Sequence, residues 1–134
     1  MIAEPALRDR AAYAIFTADR AVRGYEKFRT WKGDQRAALP AVEGSSSGEL
    51  IIPHIASNSK WWTGLAFVNT TPVEKSLTVS YNTGETCTVA LGPFEHKAMT
   101  IASLFGGSSK PDLSFGLITQ AEGVIGLELF GKSE

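Results

Sequence analysis

His54 and His96 are the only histidines in the chain, and with Glu95 or Glu49 they supply the donor types of a small metal or acid–base site. Their spacing gives that site no support. There is no H-x-x-x-H or C-x-x-C arrangement, and His54 follows Pro53 inside an apolar stretch, the setting of a half-buried structural donor. Gly44-Ser45-Ser46-Ser47-Gly48 matches G-x-S-x-G, but a nucleophile elbow needs an apolar strand before the serine and a helix after it. Here the flanks are Glu43 and the start of a strand. Gly106-Gly107-Ser108-Ser109 lacks the G-K-[ST] of a phosphate loop. No paired-carboxylate, triad or metal spacing emerges, so the chain reads as non-enzymatic, with no cofactor and no metal.

The aromatic residues form a more informative set. Trp61 and Trp62, with His54, Tyr81 and Trp31, are candidates to stack on a sugar ring or anchor a partner protein. Adjacent residues on a strand point to opposite faces, so at most one of Trp61 and Trp62 belongs to a core. Asn69-Thr70-Thr71 fits a glycosylation sequon and equally a strand end leading into a turn at Pro72. Cys87 is the single cysteine, which excludes an intramolecular disulfide, and its alternation with Val89 and Leu91 makes it an inward-pointing filler.

These residues need a scaffold, and 134 residues suit one domain. Hydrophobic residues make up 43% and charged residues 20%, which is globular composition. A net charge of −1 gives no cationic footprint for nucleic acid. No apolar run is long enough to insert in a membrane, and the start of the chain lacks the apolar core of a signal peptide. Charge is uneven. Residues 1–36 hold eight Lys/Arg against five acids, a balance of +3, and the rest hold five against nine, a balance of −4.

From residue 49 onward the pattern is β. Glu49–Ile55 is an apolar run whose proline marks an edge position or bulge. Trp62–Asn69, Ser76–Asn82, Thr86–Leu91, His96–Ala102, Leu113–Thr119 and Val124–Phe130 follow as strands, with Ser103–Gly107 a tight turn or one helical turn. Short strands broken by Gly, Pro and Asn read as an all-β fold, an antiparallel β-sandwich. Gly44–Gly48 is the boundary between an N-terminal segment, 1–44, and the sandwich body, 45–134.

The N-terminal segment supports two readings. Propensity over Ala6–Phe28 favours helix. Shifting the chain by 102 positions, however, lays Tyr13–Phe28 on Phe115–Phe130 with five identities in sixteen positions and no gap: Thr17/Thr119, Val22/Val124, Gly24/Gly126, Glu26/Glu128 and Phe28/Phe130. Tyr13 and Ile15 face the similar Phe115 and Leu117. This match predicts strands over 13–17 and 22–28, a strand pair that packs on the body as the tail of a preceding repeat.

Residues 51–69 (IIPHIASNSKWWTGLAFVN), Leu104-Phe105-Gly106 and the ending Gly126–Gly131 (GLELFG) resemble a tandem β-sandwich module of bacterial secreted and cell-surface proteins. In such modules the G-x-E-x-F strand often runs on into a segment resembling Gln35–Pro40 (QRAALP), which makes Gly24–Pro40 look like a module's end. The N-terminal copy departs from the pattern, with Arg23, Lys27 and Arg29 where the C-terminal copy has Ile125, Leu129 and Gly131. The resemblance brings no catalytic residues. It implies a structural or adhesive module that is extracellular, periplasmic or on the cell surface, with the cytosol as the alternative. The expected mechanism is strand complementation through Ile15, Thr17, Val22, Gly24, Glu26 and Phe28, with a neighbouring module or a second copy as partner. The alternative is a carbohydrate-binding module using Trp61 or Trp62.

Overall fold

The computed structural model describes residues 12–29, 36–42, 44 and 47–133. The chain divides into two compact units, Met1–Gly44 and Ser45–Glu134. The first contains one antiparallel pair, β1 (Tyr25–Arg29) with β2 (Arg36–Pro40). The second is an antiparallel β-sandwich. Its strands are β3 (Glu49–Ile52), β4 (Trp61–Asn69), β5 (Lys75–Tyr81), β6 (Thr86–Leu91), β7 (His96–Thr100), β8 (Gly116–Thr119) and β9 (Val124–Lys132). They form a four-stranded sheet, β3-β8-β5-β6, and a three-stranded sheet, β7-β4-β9.

Period-two alternation places the core. In β4, Thr63, Leu65, Phe67 and Asn69 turn inward, and β5 contributes Leu77, Val79 and Tyr81. Ile52, Val89, Leu91, Ile118 and Val124 complete the layer between the sheets. Cys87 points the same way and packs, half-buried, against this layer. Burial of such side chains contributes about 1.5–3 kcal/mol each.

Local chemistry sets where the strands stop. β3 ends at Ile52 rather than Ile55 because Pro53 has no N–H to give, and β3 lies at a sheet edge. β7 ends at Thr100 rather than Ala102. Thr100 caps a one-turn helix, α1 (Ile101–Leu104): its hydroxyl accepts from the Ser103 N–H and the Ser103 hydroxyl accepts from the Thr100 N–H, both at 3.1 Å. β8 begins at Gly116 rather than Leu113, because the Asn82 side chain accepts the Ser114 N–H at 2.7 Å and so takes a strand partner's place. Gly84 takes a φ of +84° in the β5–β6 turn, as the Asn82–Glu85 sequence requires.

The N-terminal expectation is corrected. Residues 12–24 hold no strand, so Ile15, Thr17, Val22 and Gly24 are not strand residues, whereas Glu26 and Phe28 lie in β1. The reason is that, among the described residues, no strand pairs with this segment. Ile118, in β8, is flanked by β3 and β5 and is 1% exposed, while its match Phe16 is 84% exposed. A similar sequence without partner strands gains no ladder and no burial.

Asn69 ties the sandwich at one end. It is fully buried, and its Nδ2 donates to the carbonyls of Val73 (2.7 Å) and Gly92 (2.8 Å). Its Oδ1 accepts from the Thr71 N–H (3.0 Å) and the Thr71 hydroxyl (2.8 Å). All four hydrogen-bonding positions of the amide are filled, which also leaves no Nδ2 for a glycan. Asn69→Ala is expected to cost about 2–4 kcal/mol in urea unfolding, since it strands several partners at once. A loss under about 0.5 kcal/mol would contradict this role.

Candidate functional site

The paired tryptophans open β4, and neither is core: Trp61 is 41% and Trp62 38% exposed. Trp62 belongs to the outer face of the three-stranded sheet. Its ring lies over two glycines, so that a Cβ at Gly131 would stand 2.6 Å from Cζ2 and one at Gly64 3.1 Å from Cζ3. The glycines are what let the ring lie flat on the sheet. It closes one end of a shallow groove of about 350 Å³, floored by Ala66, Ala98, Leu127 and Leu129. Thr100 carries the one side-chain hydroxyl on its lining, beside the indole N–H of Trp62.

The other candidates separate. His96 stands opposite Val68, at the far end of β4 from Thr63, where Phe130 pairs and His54 packs edge-on against it at 5.3 Å. Five strand residues put the histidines about 17 Å apart along the sheet. Glu95 is engaged elsewhere, accepting the Gly92 N–H at 2.5 Å, and Glu49 pairs opposite Thr119. No group of three His, Cys, Asp or Glu able to hold a metal occurs among the described residues. Tyr81 lies in the core and not on the surface. It is buried, with its hydroxyl 3.2 Å from the Cys87 sulfur and its ring 5.3 Å from that of Phe105. Burial, reinforced by the Cys87 contact, pushes its phenol far above the ordinary range. Trp31, Ser45 and Ser46 lie outside the described residues, and Gly48 leads into β3, not into the helix an elbow requires.

What the structure brings together is one flank of the sandwich. β3 and β9 are edge strands on the same side, with a cleft of about 60 Å³ between them lined by Leu50, Ile52, Leu65, Phe67, Gly126 and Glu128. The opposite flank is closed by the short β6–β7 connection and by Lys97, whose Nζ donates to the Ala90 carbonyl at 2.6 Å. β9 is nine residues long and, among the described residues, pairs with β4 alone. The hydrogen bonds at its ends fix which backbone groups face outward. The Thr70 N–H donates to the Gly123 carbonyl and the Ser133 N–H to the Lys60 carbonyl, so odd-numbered positions bond toward β4. The N–H and C=O groups of Gly126, Glu128, Phe130 and Lys132 therefore face the free edge.

Glu128 is the polar residue of the cleft. Its Oε2 is buried without a hydrogen-bond partner. Burial pushes the carboxyl above its ordinary range, against the smaller opposing pull of His54. The sequence singled out Glu128 only as a repeat identity. Its inward phase within an otherwise apolar strand, G-L-E-L-F, is the signal that marks a charged residue turned into a sandwich.

Against family models, curated proteins and solved structures, the chain has no significant match.

Because the folded pKa of Glu128 lies above its ordinary 4.5, the folded state holds the proton more tightly than the unfolded one. The contribution to stability is fullest below 4.5 and falls as pH rises through the folded pKa. Glu128→Gln is thus expected to raise the melting temperature at pH 7 and leave it nearly unchanged at pH 4. A lower melting temperature at pH 7 would contradict the burial argument. Gly131→Ala is expected to displace the Trp62 ring and shift tryptophan emission to the red, and an unchanged spectrum would contradict the ring's placement.

Proposed function

We propose that this chain is a non-enzymatic structural module of a bacterial envelope or secreted protein, and that it assembles by adding a strand at the β9 edge. The observation that carries this reading is the unpaired second edge of β9, nine residues long on the three-stranded side of the sandwich. Long flat edges are templates for pairing, and proteins ordinarily shorten, charge or cover them. β3 is short and stopped by proline, whereas β9 has no proline and no lysine before Lys132. Backbone hydrogen bonds supply the attraction in such a contact, and alternate side chains supply the register. The resemblance to tandem surface modules supports the same reading, and goes with an extracellular, periplasmic or cell-surface location.

Two polar side chains in and beside the 53–60 segment are already occupied. The Thr63 hydroxyl bonds both the N–H and the carbonyl of Ala56, and the Ser57 hydroxyl accepts the Lys110 N–H. They hold the 53–60 segment in place and are not free for catalysis.

A second reading rests on Trp62, whose half-exposed ring is laid flat as a sugar-stacking platform would be. Sugar recognition also needs hydrogen bonds beside the ring, and the groove offers one side-chain hydroxyl. A protein surface fits its apolar floor better. Quenching of tryptophan fluorescence by a soluble polysaccharide would support the glycan reading, and no response across a panel would remove it.

Light scattering across a concentration series tests the assembly. The expected result is a mass above the monomer that grows with concentration. Phe130→Pro deletes an N–H that faces the free edge, and is expected to return the protein to a monomer with unchanged circular dichroism, while Phe130→Ala still assembles. A monomer at every concentration would overturn the proposal.

A further inference from the structure

We propose that the strand received by β9 is β2 (Arg36–Pro40) of a second copy of this chain. The inference rests on the edge-assembly reading above and names its donor, edge and register.

The sequence match aligns β1 with Leu127–Gly131 of β9. In the first unit the Ala41 N–H donates to the Gly24 carbonyl at 2.9 Å, and Gly24 is the residue before β1. Since antiparallel bonding alternates, Gly24, Glu26 and Phe28 are the positions whose backbone groups face β2. Their matches are Gly126, Glu128 and Phe130, the positions whose groups face the free edge of β9. β2 therefore lies along the edge of β1 that corresponds to the vacant edge of β9. This correspondence comes from hydrogen-bond parity in two separate ladders, not from the sequence match alone.

The register transfers with the edge. β1 sets Glu26 opposite Leu39, Lys27 opposite Ala38 and Phe28 opposite Ala37. On β9 the same offsets put Leu39 beside Glu128, Ala38 beside Leu129 and Ala37 beside Phe130. Ala37, Leu39 and Ala41 then share the face of Gly126, Glu128 and Phe130, which turns toward the cleft lined by Leu50, Leu65 and Phe67. An apolar row of small residues with one leucine meets a cleft that is apolar except for Glu128. Arg36, Ala38 and Pro40 fall on the alternate positions of β2, whose backbone groups face away from β9. Pro40 has no N–H there, so the added strand offers only a short further edge, at Arg36 and Ala38.

Exchange is favoured by what each partner has to lose. β1 and β2 form a two-stranded sheet whose described side chains are mostly exposed, a marginal structure in water. Moving β2 to β9 keeps the number of strand pairs and adds burial against a sandwich. It also gives the three-stranded sheet the fourth strand that its facing sheet already has. Charge is complementary: residues 1–44 hold eight Lys/Arg and six acids, a balance of +2, while residues 45–134 hold five and eight, a balance of −3. The contact is heterologous, with β2 of one copy on β9 of the next, so it closes as a reciprocal dimer or propagates as an open chain.

Two singly substituted chains, Ala38→Cys and Leu129→Cys, both in a Cys87→Ala background, test the proposal by mixing under mild oxidation. Positions 38 and 129 form a non-hydrogen-bonded pair in this register, where Cα atoms approach to about 4.5 Å and a disulfide fits. The expected product is a dimer whose mass-mapped disulfide joins 38 to 129, in at least tenfold excess over a mixture using Ala37→Cys, which is one residue out of register. Assembly by light scattering with no 38–129 disulfide would overturn β2 as donor and leave edge assembly standing. Equal yields from both mixtures would overturn the register. A 38–129 disulfide formed only within one doubly substituted chain would overturn the second copy. No assembly of the unsubstituted protein at any concentration would overturn both this inference and the reading beneath it.

Discussion

A β-sheet is held together by backbone hydrogen bonds that every interior strand makes on both sides and an edge strand makes on one. In the sandwich of residues 45–134 that constraint is met unevenly. β6 and β7 are edges too, but the short connection between them and the reach of Lys97 close their flank. β3 is four residues long and is ended by Pro53. β9 alone combines length, an unpaired edge and an adjoining apolar cleft. Its one inward charge, Glu128, leaves Oε2 buried without a hydrogen-bond partner. The core can be complete, with Phe67, Leu77, Leu91 and Ile118 fully enclosed, and the molecule still carry this open side.

Much of the body is legible in the sequence because its strands are patterned for one buried face. Ser76–Asn82 and Thr86–Leu91 alternate, turn at a glycine and form the expected hairpin almost to the residue. The misjudged ends have local causes that a period-two pattern does not carry. Thr100 caps a helix, Asn82 stands in for a strand partner, and Pro53 stops a ladder. The N-terminal segment misleads for a different reason. Its similarity to Phe115–Phe130 is real at the level of residue types, but strand formation over 13–17 depends on neighbours such as β3 and β5, which the segment does not bring. β2 went unassigned because Arg36–Pro40 is short, alanine-rich and ended by proline, and its alternation shows only once β1 is in place.

The candidate site was legible only in part. Residue type picked out Trp62, but whether its ring is core, exposed or laid across the sheet depends on Gly131, which sits 69 positions later and meets it only through the β4–β9 pairing. Tyr81 looked like a contact residue and is core, because its strand alternation turns it inward beside Leu77 and Val79. The histidines were singled out by chemistry and are separated by register. The free edge has no side-chain signature at all. It is a property of strand order: among the described residues, β9 pairs with β4 and with no second strand.

The amides of β9 offer the most direct test. Gly126, Glu128, Phe130 and Lys132 donate toward the free edge, while Ile125, Leu127, Leu129 and Gly131 donate toward β4. Hydrogen exchange of these eight N–H groups, followed by NMR as protein concentration rises, separates the two sets within one strand. Strand addition at β9 predicts that the outward set exchanges fast in dilute protein and slows with concentration, while the inward set stays protected throughout. Fast exchange of the outward set at every concentration would contradict it.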